Sequence, residues 1–344
     1  MLMVAFDLAL AGATVGLAYS AIADTHVVRA VMKFTVFGLF LSIAWLRLRA
    51  PDVALAEAAV GAGLTGALML AGVARLERAA KSPPDAAPSA SPTVTSATAS
   101  QASRASKSSR RAPLHAVLLA VSLGFCGLLG FAFTELPEST PGLATESLAA
   151  LADSGVEHPV TAVLLNYRGY DTLLEIAVLL LSLIAVWSFG VARRPTPRAR
   201  SAPMLRAAIG WFIPAVALVA AYLLWKGAHA PGGAFQGGAV LAGGLILLIL
   251  VGRGVHRNQA LELRVIAALG LSVFSLVALA VMPSMGAILE YPTRAAGALI
   301  LLIESFALVS IGLTLGLLFM GGALDQGPRS PRRNATPTRT RSSP

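Results

Sequence analysis

The sequence predicts an all-α, polytopic transmembrane protein of about nine spans, and three observations carry that prediction. Hydrophobic residues make up 56% of the chain and mean hydropathy is +0.73. Charged residues make up only 13%, where an ordinary soluble chain carries about a quarter. The apolar residues also gather into runs of about 20, the length a helix needs to cross about 30 Å of hydrocarbon. These runs cover 2–22, 28–46, 52–73, 113–134, 171–192, 207–225, 233–252, 263–282 and 294–320.

The first run ends in Ala21-Ile22-Ala23, which resembles a signal cleavage site, but no basic residue precedes it and Asp7 lies within it, so a retained helix is expected. The second carries Lys33, which either pairs with an acid or relays protons, or else snorkels to the cytoplasmic surface. The third opens on Pro51-Asp52. Pro51 suits a first helical turn and Asp52 complements the positive helix end, which reads as an interfacial cap with an ion role as the alternative. Glu57 lies about 8 Å further in, beyond the reach of a short snorkelling side chain. A buried acid costs several kcal/mol as the anion, so its presence points to a proton or cation task, with a satisfied structural acid as the alternative. The small residues Ala58, Ala59, Gly61, Ala62 and Gly63 allow another helix backbone to approach closely.

Residues 79–112 are rich in Ala, Ser, Thr and Pro and read as a disordered cytoplasmic linker that closes a three-helix module, 1–78. The fourth run holds Cys126, expected to be a small buried hydrophobe. A single cysteine excludes an intrachain disulfide and any cysteine-based metal or iron-sulfur centre. Residues 159–167 are too few to span, so a half-helix or interfacial segment broken at Arg168-Gly169 should precede the fifth run. Asp171 and Glu175 are four apart and share a face. They form either a proton-sharing pair or a helix-start cap with an Arg168 salt bridge.

This two-helix module, 113–192, with its break near 158–170, is followed by a proline-rich linker, 193–203, and a four-helix module, 204–321. Between its first two spans, Pro231, Gly232, Gly233, Gly237 and Gly238 disfavour a continuous helix and favour close packing of the next one. His229 there either carries protons or caps and packs. Glu304 falls about 15 Å into the last span, near mid-membrane, where an acid most strongly implies ion or proton work. Residues 322–344 read as a disordered tail.

With the N-terminus outside and the C-terminus inside, the cytoplasmic segments 23–33, 74–112, 193–206, 253–264 and the tail hold 22 of the 27 Lys and Arg residues. The external segment 135–159 has acids but neither Lys nor Arg. The net charge of +10 is mostly this orientation signal, so no nucleic-acid partner is expected. The chain has neither a nucleophile–base set nor a nucleotide loop, so no enzymatic role and no cofactor are expected.

The stretch Ala50-Pro51-Asp52-Val53-Ala54-Leu55-Ala56-Glu57-Ala58-Ala59-Val60-Gly61, followed by Asn166-Tyr167-Arg168-Gly169-Tyr170-Asp171-Thr172-Leu173-Leu174-Glu175, resembles the C-terminal part of the large A-type chain of Mrp-type multisubunit sodium/proton antiporters. The same segments resemble two small subunits of membrane-bound hydrogenases. Gly227-Ala228-His229-Ala230-Pro231-Gly232-Gly233-Ala234-Phe235-Gln236-Gly237-Gly238 is similar to the antiporter B-subunit signature, from which Gln236 and the long linker depart.

The order of these pieces is that of an A/B fusion. The resemblance implies a multi-pass subunit of the bacterial plasma membrane, partnered by large antiporter-like and small membrane subunits, by Na+ and H+, and by the lipid bilayer. It also places the acid equivalent to Glu57 in the ion-translocation region. The expected path is thus Glu57 with Lys33, Asp52, Asp171, Glu175, His229 and Glu304. The competing readings are a purely structural assembly subunit and a membrane component of a redox-driven complex, either a membrane-bound hydrogenase or a relative of complex I, whose cofactors would lie in its partners.

Overall fold

The computed structural model describes residues 1–81, 117, 120–135, 142–189, 203–251 and 260–321, and every regular element among them is helical. The tail and nearly all of both predicted linkers lie outside the described residues. The chain divides into two compact units, one of Met1–Arg78 with Glu146–Pro344 and a second of Ala79–Thr145. The second contains an apolar helix, α5 (Ala120–Thr134), with every residue exposed. Cys126 is therefore exposed and not buried as expected, because none of the described residues covers α5.

The first unit begins with a hairpin of α1 (Leu2–Ala23) and α2 (Val27–Arg47). At the open end of this hairpin, Arg47 Nε and Nη2 grip Asp7 in a two-pronged ion pair at 2.7 and 2.9 Å. The chain then turns through Arg49, at φ 59°, into α3 (Pro51–Ala56), with Pro51 in the first turn as its fixed φ favours. From Glu57 to Leu64 the helix is π-helical before it continues as α4 (Thr65–Lys81). The small side chains here let α2 lie close: a Cβ on Gly38 would come within 3.0 Å of the Ala62 Cβ.

A short helix, α6 (Ala144–Ala149), leads toward α7 (Pro159–Ala162), which runs on as a π-helical turn, Val163–Tyr167. Helical geometry stops at Arg168 (φ −127°, ψ 32°) and resumes in α8 (Gly169–Ser188). At this break the Thr172 hydroxyl donates to the Leu164 carbonyl at 2.6 Å, which satisfies a backbone acceptor that an interrupted helix leaves open.

The remaining elements are α9 (Pro203–Gly227), α10 (Ala234–Leu250), α11 (Ala260–Met285) and α12 (Ala296–Met320). The centre of the bundle is α12, which packs on α8, α9, α10 and α11 and carries the deeply buried Ile300, Ile303, Ile311 and Leu317. Glycines set the α10 approach: a Cβ on Gly238 would sit 2.9 Å from Ile311, and one on Gly312 would sit 2.9 Å from Leu241. Among the described residues, seven helices are long and apolar enough to cross a membrane. They correspond to seven of the nine predicted runs, and the other two correspond to the shorter α5 and α10.

Candidate functional site: a carboxylate-lined cavity

The connection between α9 and α10 folds back on the end of α9, where the Gly233 N–H donates to the Leu223 carbonyl at 2.8 Å. Gly233 itself lies at φ 108° and ψ −171°, a conformation that only glycine adopts without strain. This turn presents the N-terminal N–H groups of α10 to two acids. Asp52 Oδ1 accepts from the Gly232 N–H, and Glu304 Oε1 accepts from the Ala234 N–H, each at 3.2 Å. One carboxylate comes from α3 and the other from α12, and both complement the partial positive charge where α10 begins. A Cβ on Gly233 would come 2.9 Å from Glu304 Oε1, so the glycine also makes room for the acid.

Asp52 has two further contacts. Its Oδ2 lies 2.9 Å from His158 Nε2, and its main-chain carbonyl faces Gln236 Nε2 at 3.5 Å. His158 stands just before α7, where the backbone N–H groups of Glu157 and His158 donate to the Ala228 carbonyl and the Thr161 hydroxyl donates to the Gly227 carbonyl at 2.6 Å. Asp52 therefore joins three chain segments instead of capping its own helix, for which no side-chain cap bond forms.

Beneath this joint is a cavity of about 520 Å³. Its walls are largely apolar, with Asp52, Glu175, Glu304, Gln236, Thr161 and Thr172 as the polar groups. Glu304 is only 4% exposed, whereas Glu175 is exposed.

The other acids and bases singled out in the sequence lie elsewhere. Glu57 is the first residue of the π-helical segment and turns toward α2. Its carboxylate overlaps the position where a Gly61 Cβ would stand and lies 3.2 Å from that of a Gly38 Cβ. Lys33 pairs with Asp24 in the α1–α2 connection at 2.8 Å. That ammonium, followed by the His26 N–H and Arg29, holds the Asp24 carboxyl well below the usual carboxylate range. Asp171 pairs with Arg168 on the exposed surface, one helical turn from Glu175. His229 packs against Trp225 in a tilted pair, with ring centroids 5.4 Å apart, and lines a separate hollow with Glu157. Asp52, Glu175 and Glu304 therefore share one cavity, while Glu57, Lys33, Asp171 and His229 do not line it.

The sequence reading assigned no role to His158, Gln236, Thr161 or Asp24. His158 had one local signal, its place immediately before the Pro159 that opens a helix. Nothing local links it to Asp52, 106 positions away.

Residues 12–78 match MbhD, the family of the D-type subunits of MBH, and residues 204–324 match the domain related to the MnhB subunit of Na+/H+ antiporter. A probable A/B-type K(+)/H(+) antiporter subunit of Rhizobium meliloti (strain 1021) is 28% identical over 246 residues, 62% of this chain and 23% of the relative. The chain carries these matches in the order expected of an Mrp-type A/B fusion.

The fusion superposes on a chain of the Mrp complex from Dietzia sp. DQ12-45-1b with a TM-score of 0.67 and 23% identity, covering 94% of this chain and 35% of that one. A chain of the membrane-bound sulfane sulfur reductase, an archaeal respiratory membrane complex, shares the fold over 61% of the fusion and 97% of its own length, with a TM-score of 0.52 and 22% identity. The fusion thus spans about a quarter of its curated relative and about a third of the Mrp chain. It is a multi-pass protein of a bacterial membrane.

Proposed function

We propose that the fusion is a membrane subunit of a multisubunit monovalent cation/proton antiporter and contributes intramembrane carboxylates to the ion or proton path. The observation that carries this is Glu304, buried in a membrane-spanning helix and facing a cavity that also holds Asp52 and Glu175. A packed apolar core gains nothing from an acid at such depth, and several kcal/mol of desolvation opposes the anion. Glu57, on another face of the helix that carries Asp52, belongs to the same path at the α2 side. The similarity of residues 204–324 to the MnhB-related domain, and of 62% of the chain to a probable K(+)/H(+) antiporter subunit, supports the cation/proton class. The named relatives include both Na+ and K+ exchangers, so the substrate class is the monovalent cation. The protein acts as a transporter subunit, with separate antiporter-complex subunits as partners.

Nine spans, with the N-terminus outside and the C-terminus inside, and three membrane modules joined by linkers belong to this reading. In that topology the segments meeting at Asp52, namely the start of α3, the approach to α7 and the α9–α10 turn, all lie on the external side, which is consistent with their mutual contacts. The test is cation-driven proton movement in membrane vesicles that hold the whole complex. Glu304→Gln and Glu57→Gln should each abolish exchange and leave assembly intact, whereas normal exchange in both variants overturns the role of these acids. Loss of assembly instead would favour a purely structural subunit.

A further inference from the structure

We propose that His158 is the proton-exchange residue at the outer end of the cavity, passing protons between the external face and Asp52; this deepens the antiporter reading and rests on it. The placement is specific. The His158 side chain is 13% exposed and that of Asp52 14%, so the pair is mostly enclosed without being sealed. The histidine backbone is pinned to the α9–α10 turn by the Ala228 carbonyl, which leaves the ring to bridge to α3. Behind it the series continues: His158 to Asp52 at 2.9 Å, Asp52 to the Gly232 N–H, and two residues on the Ala234 N–H to Glu304.

A purely structural tie needs only a hydrogen-bond donor at this position. Histidine is the side chain whose charge changes between about pH 5 and pH 8, and it can give a proton and take one back. In the inward step the His158 Nε2–H bond breaks as an O–H bond forms on Asp52 Oδ2, leaving a neutral imidazole and a neutral carboxyl. A hydronium ion from the external side then reprotonates the ring and leaves as water. The Asp52 proton leaves through water in the cavity, which is wide enough to admit it, toward Glu304. The other titratable groups on the segments packed here are Glu157 beside the histidine, Lys226 and His229 on the α9–α10 turn, and Glu175 and Glu304 on the cavity wall.

The experiment uses the assembled complex in vesicles and compares wild type with His158→Ala and His158→Gln, each with and without added imidazole. Exchange should fall about tenfold or more in both variants. Free imidazole should restore His158→Ala toward the wild-type rate and leave His158→Gln slow, because only the alanine variant leaves room for the ring. His158→Gln exchanging at the wild-type rate would overturn the proposal, since glutamine keeps the hydrogen bond but carries no exchangeable charge. So would a correctly assembled His158→Ala complex that imidazole does not rescue. If His158→Ala does not assemble, His158→Gln decides. A wild-type complex that exchanges no monovalent cation for protons would overturn the functional reading, and the relay with it, whereas active exchange unaffected by His158 would overturn the relay alone.

Discussion

Asp52 and Glu57 are five residues apart on one continuous helix, yet the fold treats them in opposite ways. Asp52 is held by His158 and the Gly232 N–H and joins three segments. Glu57 lies on a bed of glycines against α2, in a π-helical stretch, and no hydrogen bond or ion pair among the described residues fixes its carboxylate. The contrast separates two functions for acids in a membrane. A carboxylate with several donors stabilises the bundle and costs stability when removed, whereas one with room and no donor contributes little to stability and is free to exchange ligands. Glu304 stands between the two, with a single donor in the Ala234 N–H and the cavity beside its carboxylate.

The strongest way to break the held side is at its hinge. Gly233→Val forces a β-branched residue into φ 108° and drives its Cβ to 2.9 Å from Glu304 Oε1. Backbone strain alone is worth about 1–3 kcal/mol, and displacing the Glu304 carboxylate from the turn adds to it. The protein should fail to accumulate in membranes, and accumulation at the wild-type level would show that the turn is not the joint described here. Next in size, Asp52→Ala leaves the His158 ring and the Gly232 N–H without their acceptor, a loss of about 1–3 kcal/mol. Thermal unfolding of the detergent-solubilised protein should show it, with Glu57→Gln within about 0.5 kcal/mol of wild type. Equal destabilisation by the two substitutions would erase the distinction between them.

The helical architecture was legible because hydrocarbon demands long apolar helices and punishes anything else, so run length and the Pro51 and Gly232-Gly233 breaks could be read directly. The break at Arg168 was visible for the same reason, since a segment of nine residues cannot span. The burial of Glu304 was legible as well, because it falls well inside the last apolar run. Partnership was not. Whether Asp52 faces its own helix end or a histidine 106 positions away depends on how three segments meet, and no local pattern encodes that. The π-helical insertion at Glu57 was equally hidden, because Ala and Gly fit α and π geometry alike. Five residues of α-helical chain already carry Glu57 about 140° round from Asp52, toward α2 and away from the cavity that Asp52 lines.

A smaller effect probes the unheld side. The Glu57 carboxylate lies where a Gly61 side chain would be, so Gly61→Ala must displace it while adding a single methyl group to a half-buried helix. Alanine also favours helix by about 1 kcal/mol over glycine, so stability should be unchanged or slightly raised while exchange in vesicles falls. Reduced stability with unaltered exchange would mean that Glu57 is a packing residue.

The smallest effect belongs to the far end of the α1–α2 hairpin, where Asp24 binds Lys33 and Arg29. The Lys33 contact and the other donors lower the Asp24 pKa, so this acid binds its proton less readily in the folded state than in the unfolded one. Its contribution to stability is therefore complete above the unfolded value of about 3.9 and is lost as pH falls through the lower folded value. Asp24→Asn should unfold at a slightly lower temperature than wild type near pH 7, with the gap narrowing steadily in acid as the wild-type carboxylate is protonated. Exchange should change less than in any variant of the cavity. A gap that widens on acidification would mean that the pair opposes folding, and Lys33 would then be better understood as a charge held for ion movement than as the anchor of a loop.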